Sequence, residues 1–285
     1  MKGIIWLASY PKSGNTWLRI FITNLERDEE TRASINELDF VSGSGARDYF
    51  DEAVGYKAGE LTCDEVDRLR PEVYAYESLV RDEAFYCKVH DAFARLPDGR
   101  PLFPPEVSLK AVYVIRNPLD VCVSFAHHQE TTDLDAVIES MADPAHAFGA
   151  CPHDQIPQLR QRLLTWSEHV LSWVGSEMPV HLMRYEDMKL CPLLTFTACA
   201  EFLGLPHDPE RVVRALDRSS FEELRQQEEG EGFDEAPSAR SFFREGRVGS
   251  WRDALTPRQA ARIVRDHRDV MRRFGYLTDD DEPVY

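Results

Sequence analysis

Residues 4–17 read Ile4-Ile5-Trp6-Leu7-Ala8-Ser9-Tyr10-Pro11-Lys12-Ser13-Gly14-Asn15-Thr16-Trp17. The first six form a short apolar run bounded by turn residues, the pattern of a buried strand. A helical period begins at Thr16 and continues to Glu26. A strand that runs through a tight turn into a helix start gathers backbone N–H groups around an anionic phosphate or sulfate. Gly14 permits close approach of the backbone, Lys12 adds a point charge, and Ser13, Asn15 and Thr16 add short donors. The stretch is not a Walker A loop, which places its lysine last, just before the hydroxyl that holds Mg²⁺. Here the lysine comes first and the glycine follows it. Taken alone, the segment could also be a plain strand-to-helix turn.

Three further apolar runs read as strands: Phe85–Val89, Lys110–Ile115 and Val180–Arg184. Helical periods cover Leu119–His128, Gln158–Trp173, Leu193–Leu203 and Arg258–Phe274. Strands alternating with helices predict an α/β fold with a central, mostly parallel sheet flanked by helices. The sequence shows no internal repeat, and residues 1–285 are read as a single domain. The polar, acidic stretch Gln226–Ser241 reads as a mobile surface loop.

The chain has 285 residues, with 33 Lys plus Arg against 50 Asp plus Glu and a formal charge of −17. Such acidity argues against nucleic-acid backbones and anionic lipid surfaces as partners. The hydrophobic share of 43% is too high for a disordered polyelectrolyte and allows a sizeable core. No apolar run is long enough to span a membrane, and the amino terminus lacks the pattern of a signal peptide, so a cytoplasmic protein is expected. The six cysteines are scattered, with no CxxC pair and no zinc spacing, and read as small buried hydrophobes with no metal site.

The charge is uneven. Residues 31–240 carry 20 basic and 38 acidic side chains, whereas residues 241–278 carry nine Arg against four acids. Only six lysines are present, among them Lys12 and Lys88. The second strand leads into Lys88-Val89-His90-Asp91, and residues two apart on a strand point the same way. An imidazole with an ordinary pKa near 6.5 can accept a hydroxyl proton at neutral pH. The third strand ends at Arg116, with Pro118 suited to a first helical turn and Ser124 about one and a half turns further on. An Arg fork with a hydroxyl suits a phosphate through charge-assisted bonds. Pairing of Arg116 with Asp120 at the helix start is the alternative.

The segment YPKSGNTW resembles the 5′-phosphosulfate loop of the cytosolic-type sulfotransferases, usually YPKSGTTW, with Asn15 at the first Thr. Those enzymes transfer SO₃ from 3′-phosphoadenosine 5′-phosphosulfate (PAPS) to an acceptor hydroxyl or amine and release the bisphosphate PAP. The resemblance implies that Lys12, Ser13, Gly14, Asn15 and Thr16 bind the 5′ end of the cofactor. It implies that Arg116 and Ser124 hold the 3′-phosphate and that His90, beside Lys88, is the general base. Tyr185-Glu186-Asp187-Met188 resembles the family's YEDM segment, whose Tyr contacts the nucleotide. Ser219-Ser220-Phe221 resembles its [ST]SF segment, and Trp17 with Phe221 would sandwich the adenine. Residues 243–251, Phe-Arg-Glu-Gly-Arg-Val-Gly-Ser-Trp, resemble the RKGxxGxW motif, so Arg244 and Gly246 would meet the 3′-phosphate. Glu245 stands where Lys is usual. Either Glu245 points outward or Arg247 supplies the missing charge.

The resemblance spans residues 4–252 and implies in-line transfer, with Lys12, Lys88 and neighbouring donors stabilising the developing charge. A nucleotide-dependent phosphotransferase and a non-catalytic anion-binding module on the same fold are the alternatives. The acceptor would meet Asp39–Tyr56, His127–His153 and the acidic loop. Tyr49, Phe50, Tyr56, Phe125, His127, His128, Phe148 and Phe233 are candidates for an aromatic pocket, with core packing an equal alternative for several of them. The excess of Arg over Lys suggests a bacterial source, and the amino-terminal half is similar to sulfotransferases of glycopeptide antibiotics. A small-molecule or natural-product hydroxyl is the acceptor expected. Pro257 and Ala261 replace residues of the family's dimerisation motif, so no oligomeric state is inferred.

Overall fold

The computed structural model describes residues 2–27, 32–38, 43–149, 158–236 and 241–285. Strand β1 (Gly3–Ser9) is buried along its whole length, as expected of a strand paired on both edges. It pairs in parallel with β2 (Ala84–Val89) and with β3 (Ser108–Ile115). A short antiparallel ribbon joins β4 (Ala147–Phe148) to β5 (Gln161–Arg162). The last strand, β6 (Val180–Arg184), completes a four-stranded sheet in the order β2-β1-β3-β6. Helices connect these strands, so the α/β architecture follows the alternation in the sequence. Among the described residues, no helix is long and apolar enough to cross a membrane.

Several expected boundaries shift for local reasons. The helix read over Gln158–Trp173 is confined to Trp166–Val174. Leu164 takes a positive φ of 59°, which breaks a helix, and Thr165 then starts a new one through a capping box with Glu168. Gln226–Glu231 is not loop but the end of helix Phe221–Glu231, which Ser220 caps. Residues 237–240 of that segment lie outside the described residues. Of the cysteines, Cys87, Cys122 and Cys199 are buried, Cys191 is exposed, and Cys151 lies outside the described residues.

The chain forms two compact units. The first comprises Met1–Pro11, Phe40–Val114 and Glu139–Leu182, and the second comprises Lys12–Asp39, Ile115–Ile138 and Met183–Tyr285. The chain leaves the first unit after β1 and within the last residues of β3 and β6.

In the first unit, Trp6 on β1 packs edge-on against Tyr74 and Phe103, with centroids 5.1 and 4.8 Å away. Beside this aromatic core, Arg70 is 1% exposed and holds Asp91 with a two-pronged bond of 3.1 and 2.6 Å. Its Nε donates to the Tyr74 hydroxyl at 3.0 Å, and its Nη1 donates to the Arg160 carbonyl at 3.0 Å. In the second unit, Ile20, Ile35, Leu224, Phe233 and Phe243 form one buried cluster.

Losing one partner of a buried ion pair costs more than the pair contributes, because a bare charge remains. Arg70→Met is therefore expected to destabilise the protein by about 3–5 kcal/mol. Arg225→Met, which breaks only the exposed i,i+4 pair with Glu229, is expected to cost less than about 1 kcal/mol. Chemical denaturation of the two variants would test the contrast.

Candidate active site

The nucleotide-side residues expected from the sequence, Lys12 to Trp17, Arg116, Ser124, Tyr185, Phe221, Arg244 and Gly246, all fall in the second unit. Helix Asn15–Arg27 begins directly after the turn. Lys12 has a φ of 67° and Gly14 one of 104°, so the turn uses the left-handed region twice. A Cβ on Gly14 would meet the Tyr185 ring at 2.7 Å, which explains the glycine. Ser13 is fully buried, and its Oγ has no hydrogen-bond partner within the protein. The Lys12 ammonium lies 3.7 Å from the centroid of the Phe242 ring, a cation–π contact.

Arg116 is 8% exposed, and backbone carbonyls hold its guanidinium: Nη1 donates to the Lys12 oxygen at 3.0 Å and Nη2 to the Arg247 oxygen at 3.3 Å. Its face lies 4.3 Å from the centre of the Tyr185 ring, and its buried Nε has no protein partner. Burial raises the Tyr185 hydroxyl pKa, so the ring under the guanidinium stays neutral. The carboxylate four residues on does not take this charge. Asp120 is fully buried, and its oxygens accept from the Gly249 N–H at 2.8 Å, the Ser250 hydroxyl at 3.1 Å and the Trp251 N–H at 3.0 Å. Asp120 thus anchors the carboxy-terminal motif to helix Pro118–His128, a role its local sequence does not signal. Ser124 is half-buried on the same helix.

Trp17 and Phe221 are both half-buried, and the buried Trp17 Nε1 has no protein partner. The Lys189 ammonium lies 5.4 Å from the Trp17 ring and 5.7 Å from the Phe221 ring, and burial lowers its pKa. A Cβ on Gly246, whose φ is 56°, would come within 2.4 Å of Phe221. Arg244 lies at the surface, where Nη1 pairs with the Glu245 carboxylate at 3.1 Å. Arg247 pairs with Asp253. Glu245 is exposed, in keeping with the outward-pointing alternative, and it pairs at the surface with its neighbour Arg244. Sequence reading also missed Arg19, only 4% exposed, which makes a two-pronged bond to Glu235 at 2.7 Å on each arm.

Lys88 and His90 fall in the first unit. Cys87 and Val89 are buried, while Lys88 and His90 share the less buried face. His90 Nδ1 lies 2.9 Å from the Ser9 carbonyl and 3.3 Å from the Ser9 hydroxyl. A carbonyl only accepts, so Nδ1 carries the proton and the lone pair of the neutral ring is on Nε2.

Of the acceptor-side segments, residues 39–42 and 150–157, like 237–240, lie outside the described residues. Phe50 and Phe125 are core residues, 1% and 0% exposed, and Phe233 packs in the second unit's cluster. All three belong to the buried core. Tyr56 is 51% exposed.

The sulfotransferase domain family matches residues 2–275. Among curated relatives, cytosolic sulfotransferase 8 of Arabidopsis thaliana is 26% identical over 91% of this chain and 74% of its own length. Sulfotransferase 1A1 of Canis lupus familiaris is 25% identical over 94% of this chain and 83% of its own. Among solved structures, mouse sulfotransferase SULT7A1 complexed with PAP matches 95% of this chain and 84% of its own, with a TM-score of 0.60 at 20% identity. Retinol dehydratase, in complex with androsterone and inactive cofactor PAP, covers 99% of this chain and 82% of its own, with a TM-score of 0.59 at 19% identity. The chain belongs to the sulfotransferase family and is a PAPS-dependent sulfotransferase.

Gly246→Ala would drive a methyl group into Phe221 and strain the left-handed backbone. We expect it to weaken PAP binding at least about tenfold, or 1.4 kcal/mol. The double variant with Phe221→Ala should recover nothing if Phe221 also stacks on the base. Isothermal titration of the three proteins measures both.

Proposed function

We propose that this enzyme transfers the sulfuryl group of PAPS to a hydroxyl of a small-molecule acceptor, within one catalytic domain spanning residues 1–285. The observation that carries the reading is a set of buried donors without protein partners, Ser13 Oγ, Trp17 Nε1 and Arg116 Nε, all on the motif segments. A bound polyanionic nucleotide would satisfy these donors. Two glycine positions that a Cβ would fill, Gly14 and Gly246, complete the fit.

When bound, PAPS supplies the sulfuryl group for in-line transfer and leaves as PAP. Lys12, Ser13, Gly14, Asn15 and Thr16 would hold its 5′ side, and Arg116 and Ser124 its 3′-phosphate. Tyr185, Trp17 and Phe221 would bound the base, with Arg244 and Gly246 at the carboxy-terminal motif. Lys12 and Lys88 would lower the cost of negative charge that develops during transfer. Through Nε2, His90 would accept the proton of the acceptor hydroxyl. The Ser9 carbonyl supports this role, because it fixes the tautomer and stabilises the imidazolium that forms.

The acceptor reading draws on relatives whose names specify hydroxyl compounds, such as flavonol 3-sulfotransferase of Flaveria bidentis, 24% identical over 91% of this chain. A natural-product hydroxyl and a bacterial source belong to the same reading, as does a cytoplasmic location, which the cytosolic relatives support.

Isothermal titration with PAP should show micromolar or tighter binding, and no heat at millimolar PAP would refute the cofactor site. His90→Ala should lower turnover by about 100- to 10,000-fold while leaving PAP affinity unchanged. An active variant would remove His90 from the base role. Mass spectrometry of an acceptor panel incubated with PAPS, scored for gain of SO₃, would identify the substrate.

A further inference from the structure

We infer that His169 is a positioning residue for the catalytic base: its imidazole locks the backbone of His90 in place. The inference rests on the reading of His90 as base.

His169 is fully buried on helix Trp166–Val174, and its Nε2 lies 3.0 Å from the His90 carbonyl oxygen. That oxygen only accepts, so Nε2 carries the proton, and Nδ1 must accept from the Tyr113 hydroxyl 2.8 Å away. Tyr113 itself is fully buried on β3. The Tyr10 ring closes one side of the imidazole edge-on, with centroids 5.3 Å apart. Burial lowers the His169 pKa to about 4, so the ring is neutral wherever His90 can act as a base.

The same helix grips the following residues. Trp173 Nε1 donates to the Asp91 carbonyl at 2.9 Å, and the Ser172 hydroxyl accepts from the Phe93 N–H at 2.9 Å. Spacings of three and four residues put 169, 172 and 173 on one helical face. Of these three, His169 is the one bonded to the residue that carries the base. A base that is off by a fraction of an ångström loses rate before it loses binding.

The test compares His169→Gln, whose amide N–H matches the reach of Nε2, with His169→Asn, which is too short, and with Tyr113→Phe. We expect His169→Asn to lower kcat at least tenfold, with KM for PAPS and affinity for PAP within twofold of the parent. His169→Gln should return kcat to within threefold. Tyr113→Phe, which frees the His169 tautomer and also removes the acceptor of the Tyr10 backbone N–H, should lower kcat three- to tenfold. Equal kcat for Gln and Asn in folded proteins overturns the inference. If neither histidine variant folds, Tyr113→Phe decides: an unchanged kcat overturns the inference and a loss with intact PAP affinity supports it. His90→Ala runs alongside. Activity in that variant refutes the base reading itself, whereas an inactive His90→Ala with a fully active His169→Asn refutes only the positioning role.

Discussion

Asp120 has no contact with water, and its two oxygens accept from the Gly249 and Trp251 amides and the Ser250 hydroxyl. A buried carboxylate is tolerated only when its oxygens are satisfied in this way. Here the satisfaction comes from the last three residues of the carboxy-terminal motif, which is thereby tied to the helix that follows Arg116. Because Asp120 is committed to these donors, it does not take Arg116 as its partner. The Arg116 guanidinium rests on the Lys12 and Arg247 carbonyls and on the Tyr185 ring. Neutral partners orient an Arg fork without cancelling it, the condition for taking up a phosphate.

The net charge of −17 therefore says little about the cofactor. It governs solubility and long-range approach, whereas a focused site is decided by which cations remain uncompensated locally. The carboxy-terminal stretch is basic, but the structure neutralises much of it: Glu245 pairs with Arg244 and Asp253 with Arg247. In the proposed site the cations would come mainly from Lys12 and Arg116, at or just beyond the ends of β1 and β3.

The sheet was legible because β1 and β3 are uninterrupted apolar runs, and a strand paired on both edges must be one. Helix Gln158–Trp173 was misplaced because its period includes Leu164, whose left-handed backbone no local pattern announces. Gln226–Glu231 looked like loop because a helix with few apolar residues reads as polar sequence, although Leu224 and Gln227 are buried by tertiary packing. For Phe50, Phe125 and Phe233 the sequence left a pocket and a core equally open, because composition does not distinguish a ring in a core from a ring beside a cavity, and the structure buries them in the core.

By itself, the sequence determined the strand–turn–helix at residues 4–17, the α/β order and the identity of the motif residues. Each of these depends on interactions between near neighbours: a two-residue strand period, a 3.6-residue helix period and a glycine where the turn needs one. The tertiary structure alone decided which partners Asp120 and Arg116 take and which nitrogen of His90 and of His169 carries the proton. Asp120 meets residues 249–251, Ser9 meets His90, and Tyr113 reaches the His90 carbonyl through His169. These pairings join residues 56 to 131 positions apart, and a buried hydrogen bond depends on distance in space. Nothing in the local sequence sets that distance.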